Sequence, residues 1–283
     1  MKRIKIVGLC LMVACAFAAV SLTSSASAAV QGQCVAFKHG NYTESKCATV
    51  AEKKGKPSHK GGFEFEPADS CYPTKGGNFT ENKCVTVAGK TKKGVFTPDH
   101  KGGFESTPSP AYTSASTNDE LITPGFGAVK CATEEGTGVV TGGTTSQTGS
   151  LFKGCESSGQ PCGNVGAGEI QTFGLTGNLT EPSAGVAETV LTPTSGKYLA
   201  EFACVGVAFI RTAGHVGGKN TPVNTQGTTT TFAFEKGVEQ GLETEFSASE
   251  KFEPAETLGP FASEQVGVFT LEGTPAEETK VGP

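Results

Sequence analysis

Apolar residues in the C-terminal half of the chain alternate with polar ones in short runs and do not recur every third or fourth position. Tyr198, Ala200, Phe202 and Cys204 fall on one side of an extended chain, the two-residue period of a strand with one buried face. Beyond Cys204 the phase slips and Val205, Val207 and Phe209 take over, as at a β-bulge or in a strand buried on both faces. Phe173, Leu175 and Leu179 alternate with Gly177 in the remaining position, Phe232 and Phe234 follow a threonine run, and Val266 and Val268 open another strand. Breaks at Gly142-Gly143, Gly163-Asn164 and Gly217-Gly218 separate these runs. The pattern predicts an all-β domain over 123–283, a β-sandwich or barrel-like fold.

One apolar stretch behaves differently. Ile6 to Leu22 follows Lys2, Arg3 and Lys5 and leads into Ala26-Ser27-Ala28, the three parts of a secretory signal peptide over 1–28, cleaved after Ala28 or Ala29. Its 17 apolar-run residues are at the short end of what an uncleaved anchor helix needs, roughly 17–25. Cys15, behind Val13 and Ala14, is an alternative lipidation site, although Met12 stands where leucine is usual. No later run is apolar for long enough to span a bilayer, so no transmembrane segment is expected in the mature chain. The expected location is secreted, or extracellular and associated with the cell envelope.

Behind the leader a cysteine module occurs twice, over 34–69 and 70–105. Cys34 and Cys47 are spaced as Cys71 and Cys84 are, and each copy closes on His-Lys-Gly-Gly-Phe-Glu, at His59–Glu64 and His100–Glu105. Between the cysteines Gly40, Asn41, Tyr42 and Thr43 match Gly77, Asn78, Phe79 and Thr80. The second copy is longer by four residues in a Lys/Gly-rich stretch, which reads as a variable loop. About 35–40 residues are too few for a self-sufficient core, so each copy needs a staple. Pairing within each copy is favoured, and a bridge over such a loop stabilises by about 3 kcal/mol.

Composition sharpens the picture. Tryptophan is absent and methionine occurs only at Met1 and Met12, while Gly, Thr and Ser are abundant, which suits strands and turns better than helices. Eight cysteines remain once Cys10 and Cys15 leave with the leader, an even number that suits disulfides in an oxidising compartment. Four of them, Cys131, Cys155, Cys162 and Cys204, lie downstream of the repeats. Cys155 and Cys162 bracket a hairpin-like tip, which favours their mutual pairing and leaves Cys131 for Cys204. Cys131 with Cys155 and Cys162 with Cys204 is the open alternative. Residues 106–122 are rich in Ser, Thr and Pro and carry little aliphatic pattern, a linker composition.

The order of Val129-Lys130-Cys131, Phe152-Lys153-Gly154-Cys155, Cys162, Gly168-Glu169-Ile170, Glu201-Phe202-Ala203-Cys204 and Thr221-Pro222-Val223-Asn224 resembles a group of uncharacterised exported proteins of soil actinobacteria. The likeness covers the mature chain, including the cysteine-and-lysine repeats. It implies export and a β-rich build, and no activity is attached to the group.

Little in the chain announces chemistry. The nucleophile-elbow pattern Gly-x-Ser-x-Gly is absent, and the cysteines are better used as bridges. His215 lies in a glycine-rich stretch and reads as solvated. His59 and His100 recur, but the Cys-x12-Cys spacing is not that of a structural zinc site. The acids Glu243, Glu245, Glu250, Glu253 and Glu256 offer no way to single out a catalytic pair. No catalytic residue, metal or cofactor is expected, and no nucleic-acid partner.

Charge is uneven. Residues 34–105 carry 12 Lys against 8 acids, and 106–283 carry 8 Lys or Arg against 20 acids. A basic repeat region can face cell-wall or other anionic envelope polymers. Tyr42, Phe63, Phe79 and Phe104, with Lys60 and Lys101, are the candidate surface-binding residues, since rings stack on sugars and lysines pair with anions. The same rings would also serve as the core of each small unit. The sequence thus points to an exported non-enzymatic protein with a structural or ligand-binding role at the cell envelope. A secreted hydrolase with a carboxylate-based site, or a small stapled inhibitor or effector, are the alternatives.

Overall fold

The computed structural model describes residues 29–280, apart from 46, 48, 54–55, 69, 93–94, 108–110, 225–226, 236–239 and 250–251. The expected signal peptide and Cys15 lie outside the described residues. Within them the protein is all-β, and no helix is long and apolar enough to cross a membrane.

The first repeat comprises β1 (Val30–Gly40), β2 (Glu52–Lys53), β3 (Lys56–Pro57) and β4 (Gly61–Pro67). β1 pairs antiparallel with β4, and β2 with β3 forms a small hairpin between them. The second follows the same plan with β5 (Cys71–Gly77), β6 (Gly89–Lys92), β7 (Val95–Pro98) and β8 (Gly102–Ser106). Its four extra residues lengthen the β6–β7 hairpin. Disulfides join Cys34 to Cys47 and Cys71 to Cys84.

The recurring His-Lys-Gly-Gly-Phe-Glu has a structural cause. His59 and His100 take left-handed conformations, with φ of 47° and 50°, and turn the chain into β4 and β8. A Cβ on Gly61 or Gly102 would lie 1.9 Å from the carbonyl oxygen of Tyr42 or Phe79, whereas the next glycines, Gly62 and Gly103, face open space. The closing glutamates finish the fold. Glu64 accepts from the backbone and side-chain N–H groups of Asn41, both at 2.8 Å, and Glu105 accepts from the Asn78 backbone N–H at 3.0 Å. Buried Thr107 links the copies, donating to the Pro67 carbonyl and accepting from the Ser70 N–H.

The rest of the chain opens with β9 (Ala111–Thr123), β10 (Gly127–Gly142), β11 (Thr145–Lys153), β12 (Glu156–Ser157), β13 (Gln160–Gly163) and β14 (Glu169–Gln171). It continues through β15 (Leu175–Ser183), β16 (Val186–Pro193), β17 (Tyr198–Cys204) and β18 (Ala208–Gly214). It ends with β19 (Val216–Thr221), β20 (Gly227–Phe234), β21 (Leu242–Ser247) and β22 (Thr257–Lys280).

These antiparallel strands close on themselves twice. One ring runs β9, β10, β11, β15, β16, β19, β20, β22 and back to β9. The other runs β9, β10, β12, β13, β17, β18, β21, β22 and back to β9. The long strands β9, β10 and β22 belong to both. The rings part where β10 exchanges β12 for β11 and β22 exchanges β21 for β20. At that level the inward face slips by one residue in β9 and β10 together. Ser114 and Ser116 give way to Asp119, while Glu134 gives way to Cys131 and Val129, and the exposed Asn118 takes φ +60°.

Four sequence expectations change. Composition reads 106–122 as a linker, yet Ala111–Thr123 is a strand paired on both edges. Between Tyr112 and Leu121 its inward residues, Ser114, Ser116 and Asp119, are small and polar, so apolar patterning passes over it. The hairpin tip over β12 and β13 forms, but its cysteines do not pair with each other. Cys155 bonds to Cys131 of β10 and Cys162 to Cys204 of β17, fastening the hairpin to the strands on either side. Val205-Gly206-Val207 is a tight turn between β17 and β18, with Val207 N–H bonded to the Cys204 carbonyl, in place of a bulge. Gly217 and Gly218 are buried within β19 because the Glu188 carboxylate and the Phe232 ring occupy the space their side chains would need.

Gly61→Ala and Gly102→Ala each destabilise the protein by more than about 2 kcal/mol, because a methyl group would have to displace backbone. Gly62→Ala and Gly103→Ala stay within about 0.5 kcal/mol. Thermal or denaturant melts of the four variants check the contrast. Peptide mapping without reduction is expected to recover Cys131 linked to Cys155 and Cys162 linked to Cys204.

Candidate functional site

Eight strands can enclose either a packed interior or room for one small ligand. The two rings of this protein take one option each. The β12–β13 side is filled: Val129, Ile170, Phe202 and Ile210 pack around both downstream disulfides. The β15–β16 side leaves a cavity of about 160 Å3, comparable with the roughly 150 Å3 apolar space that admits benzene.

Its wall has two characters. Phe152, Phe232, Phe234 and Phe269 form the apolar part with Leu175, Leu199 and Val216. Phe232–Phe234 and Phe234–Phe269 meet edge-on, at centroid distances of 4.5 and 5.1 Å, the favoured aromatic geometry. Ser114, Ser146, Thr148, Ser150, Thr189 and Thr230 supply a hydroxyl-bearing part. Both follow from the two-residue period, since each of these side chains occupies an inward position. At the rim lie exposed Thr228 and half-buried Gln31. Gln31 belongs to β1, which pairs with the end of β22 and donates its N–H to the Gly143 carbonyl at 2.7 Å. The first repeat is therefore attached at the open end of the hollow ring.

Two buried carboxylates stand on neighbouring strands, Asp119 in the cavity lining and Glu134 beside it, bonded to the lining residue Ser114. Asp119, 1% exposed, accepts from the Ser116 hydroxyl through Oδ2, and Oδ1 has no hydrogen-bond partner among the described residues. Glu134, 2% exposed, accepts from Ser114 Oγ at 2.8 Å through Oε1, and Oε2 is likewise without a partner. Missing side chains make their room. A Cβ on Gly267 would lie 2.1 Å from Asp119 Oδ1, and one on Gly136 would lie 2.7 Å from Glu134 Oε1. Burial pushes the Asp119 carboxyl above the usual carboxylate range, opposed by the Ser116 hydrogen bond. Burial does the same to Glu134, opposed by the Ser150 and Ser114 hydroxyls and reinforced by the charges of Asp119 and Glu135. No Lys, Arg or His lines the cavity among the described residues.

The residues singled out from sequence lie elsewhere. Tyr42 and Phe63, and likewise Phe79 and Phe104, form cross-strand bridges and are half-buried, while Lys60 and Lys101 are exposed in the turns beside them. The eight downstream and repeat cysteines are all in disulfides. His215 is exposed between β18 and β19, and its ring rests on Gly241. Glu243, Glu253 and Glu256 are exposed, Glu245 meets Lys197 and Tyr198 on the outer face, and Glu250 lies outside the described residues. Asp119 and Glu134 escaped the sequence reading because their strands carry no apolar alternation at that level. The signal available was at Glu134, an acid in phase with the small residues Gly136 and Gly138, whereas Asp119 falls out of phase with Ser114 and Ser116 and carried none. No family model, curated protein or solved structure matches the chain.

A carboxylate held at a raised pKa binds its proton more tightly folded than unfolded, so its penalty grows as pH rises from the unfolded value to the folded one. Glu134→Gln is therefore expected to stabilise the protein at neutral pH by about 1–3 kcal/mol. The gain shrinks on acidification toward the ordinary glutamate pKa, about 4.3. Denaturant melts of both proteins across this range test the sign. A variant no more stable at neutral pH would contradict the burial argument.

Proposed function

We propose that this is an exported, non-enzymatic protein that binds a small, largely apolar ligand inside the hollow ring. The observation that carries the reading is the unfilled interior. In the other ring a buried apolar cluster packs around the disulfides, with Val129, Ile170 and Phe202 reaching the cavity's edge, yet here inward glycines and hydroxyl side chains leave ligand-sized space behind an aromatic wall. Small-molecule sites have this make-up, concave and mostly apolar with few polar groups. The four disulfides suit an oxidising, extracellular setting. The lysine-rich repeats, with Lys60 and Lys101 exposed, suit a basic surface facing anionic envelope polymers.

A hydrolase fits less well. Carboxylate-based glycoside cleavage needs two groups on opposite sides of the scissile bond. Asp119 and Glu134 stand on adjacent strands of one wall, offset along them, with Asp119 opposite Cys131 and Glu134 opposite Ser116. A cavity of about 160 Å3 leaves no room for a polymer chain.

Toluene is expected to bind the secreted protein, seen by ligand-observed NMR and as a rise in melting temperature on saturation. Thr148→Trp fills the cavity from its hydroxyl-lined side and should weaken toluene binding at least tenfold. Because the natural chain has no tryptophan, the new indole reports its own burial through blue-shifted emission. Toluene binding that persists undiminished in a folded Thr148→Trp protein would place the ligand elsewhere.

A further inference from the structure

Resting on that reading, the geometry points to the class of ligand: a compact organic cation, a small amine in its ammonium form, with its apolar body against the aromatic wall and its charged head at Asp119, with the Glu134 charge nearby. Three independent observations converge on this.

The first is an unmet demand for donors. Asp119 accepts from the Ser116 hydroxyl and Glu134 from Ser114, with the Ser150 hydroxyl also acting on Glu134, and Asp119 Oδ1 and Glu134 Oε2 stay buried without a geometric hydrogen-bond partner among the described residues. Buried acceptors of this kind are normally satisfied. A carboxylate can only accept, and an ammonium brings three N–H donors and no acceptor. The second is charge. Among the described residues the cavity lining includes an acid and no base, and a second acid is bonded to the lining residue Ser114. An anionic ligand would meet like charge, and a neutral one would leave the acids unpaired. A cation would relieve both. The third is the aromatic neighbour. The space over Gly267 is shared by the Asp119 carboxylate and the edge of the Phe269 ring, so a head group held at Asp119 leaves the ligand's apolar body against the aromatic wall of Phe269, Phe232 and Phe234. The glycines at 136 and 267 matter here because any larger residue would occupy the carboxylates' space.

Benzylamine and benzyl alcohol have nearly the same shape and differ at one head group. Titrating each into the full secreted protein at neutral pH, by calorimetry or ligand-observed NMR, is expected to show benzylamine binding at least tenfold more tightly. In the Asp119→Asn/Glu134→Gln double variant the gap should close to within twofold while benzyl alcohol still binds, its melt showing that the fold is intact. The single variants Asp119→Asn and Glu134→Gln, each expected to lose part of the gap, serve if the double variant does not fold. Equal binding of the two probes by the natural protein, or a gap unchanged in the amide variants, overturns the cationic head and leaves the ligand-binding reading standing. Failure of both probes and of toluene to bind overturns the ligand-binding reading itself.

Discussion

The pairing of β9 with β22 holds the β-rich domain together. It joins the first strand of the domain to its last, and without it the sheet would be an open ribbon with two long free edges. Because β9 is also paired along its full length with β10, one three-stranded strip serves as the common wall of two rings. Each ring then has its interior prescribed by which side chains these strands turn inward. The one-residue slip of the inward face at Asn118 and at Ala132-Thr133 allows the same strands to present Leu121, Val129 and Cys131 to one interior and Ser114, Ser116 and Glu134 to the other.

That division gives the two ends opposite physical roles. The packed ring is apolar, stapled across the β12–β13 hairpin, and well placed to supply stability. The hollow ring carries features that oppose stability: an unfilled volume, and two acids that each keep one buried oxygen without a donor among the described residues. Binding sites commonly hold such local costs, compensated by the scaffold around them. The disulfides act mainly on the unfolded chain, where closing loops of 24 and 42 residues removes conformational freedom worth about 3–4 kcal/mol each in the chain-entropy account. Cross-links of this strength allow a domain with few large apolar residues to keep an empty interior.

The repeats show the same economy on a smaller scale. Each replaces a hydrophobic core with one disulfide, a pair of half-buried rings and a glutamate that satisfies the turn backbone at Asn41 or Asn78. Their attachment through β1 to the end of β22 brings Gln31 to the rim of the cavity, and Ala29 packs beside Leu179 and Ala187. The second repeat is tied to the first through Thr107.

Local pattern determined a good deal by itself. The alternation at Leu175, Gly177 and Leu179, and at Phe232 and Phe234, reads directly as strands with one inward face, because the period of a strand is a property of its own backbone. The repeat plan and its internal disulfides were legible for a similar reason, since each closes within a few tens of residues. Tertiary structure alone decided the rest. Ser114 to Asp119 resembles a linker until β10 and β22 flank it, and Cys155 stands opposite Cys162 until neighbouring strands offer closer partners. The β9–β10 hairpin makes Asp119 and Glu134 neighbours, but their burial depends on closure of β9 onto residues 264–274 of β22, a long-range pairing for which no local period carries a signal. The polar part of the site is made of small residues facing an interior, and composition assigns such residues to the surface unless the closed sheet shows which way they point.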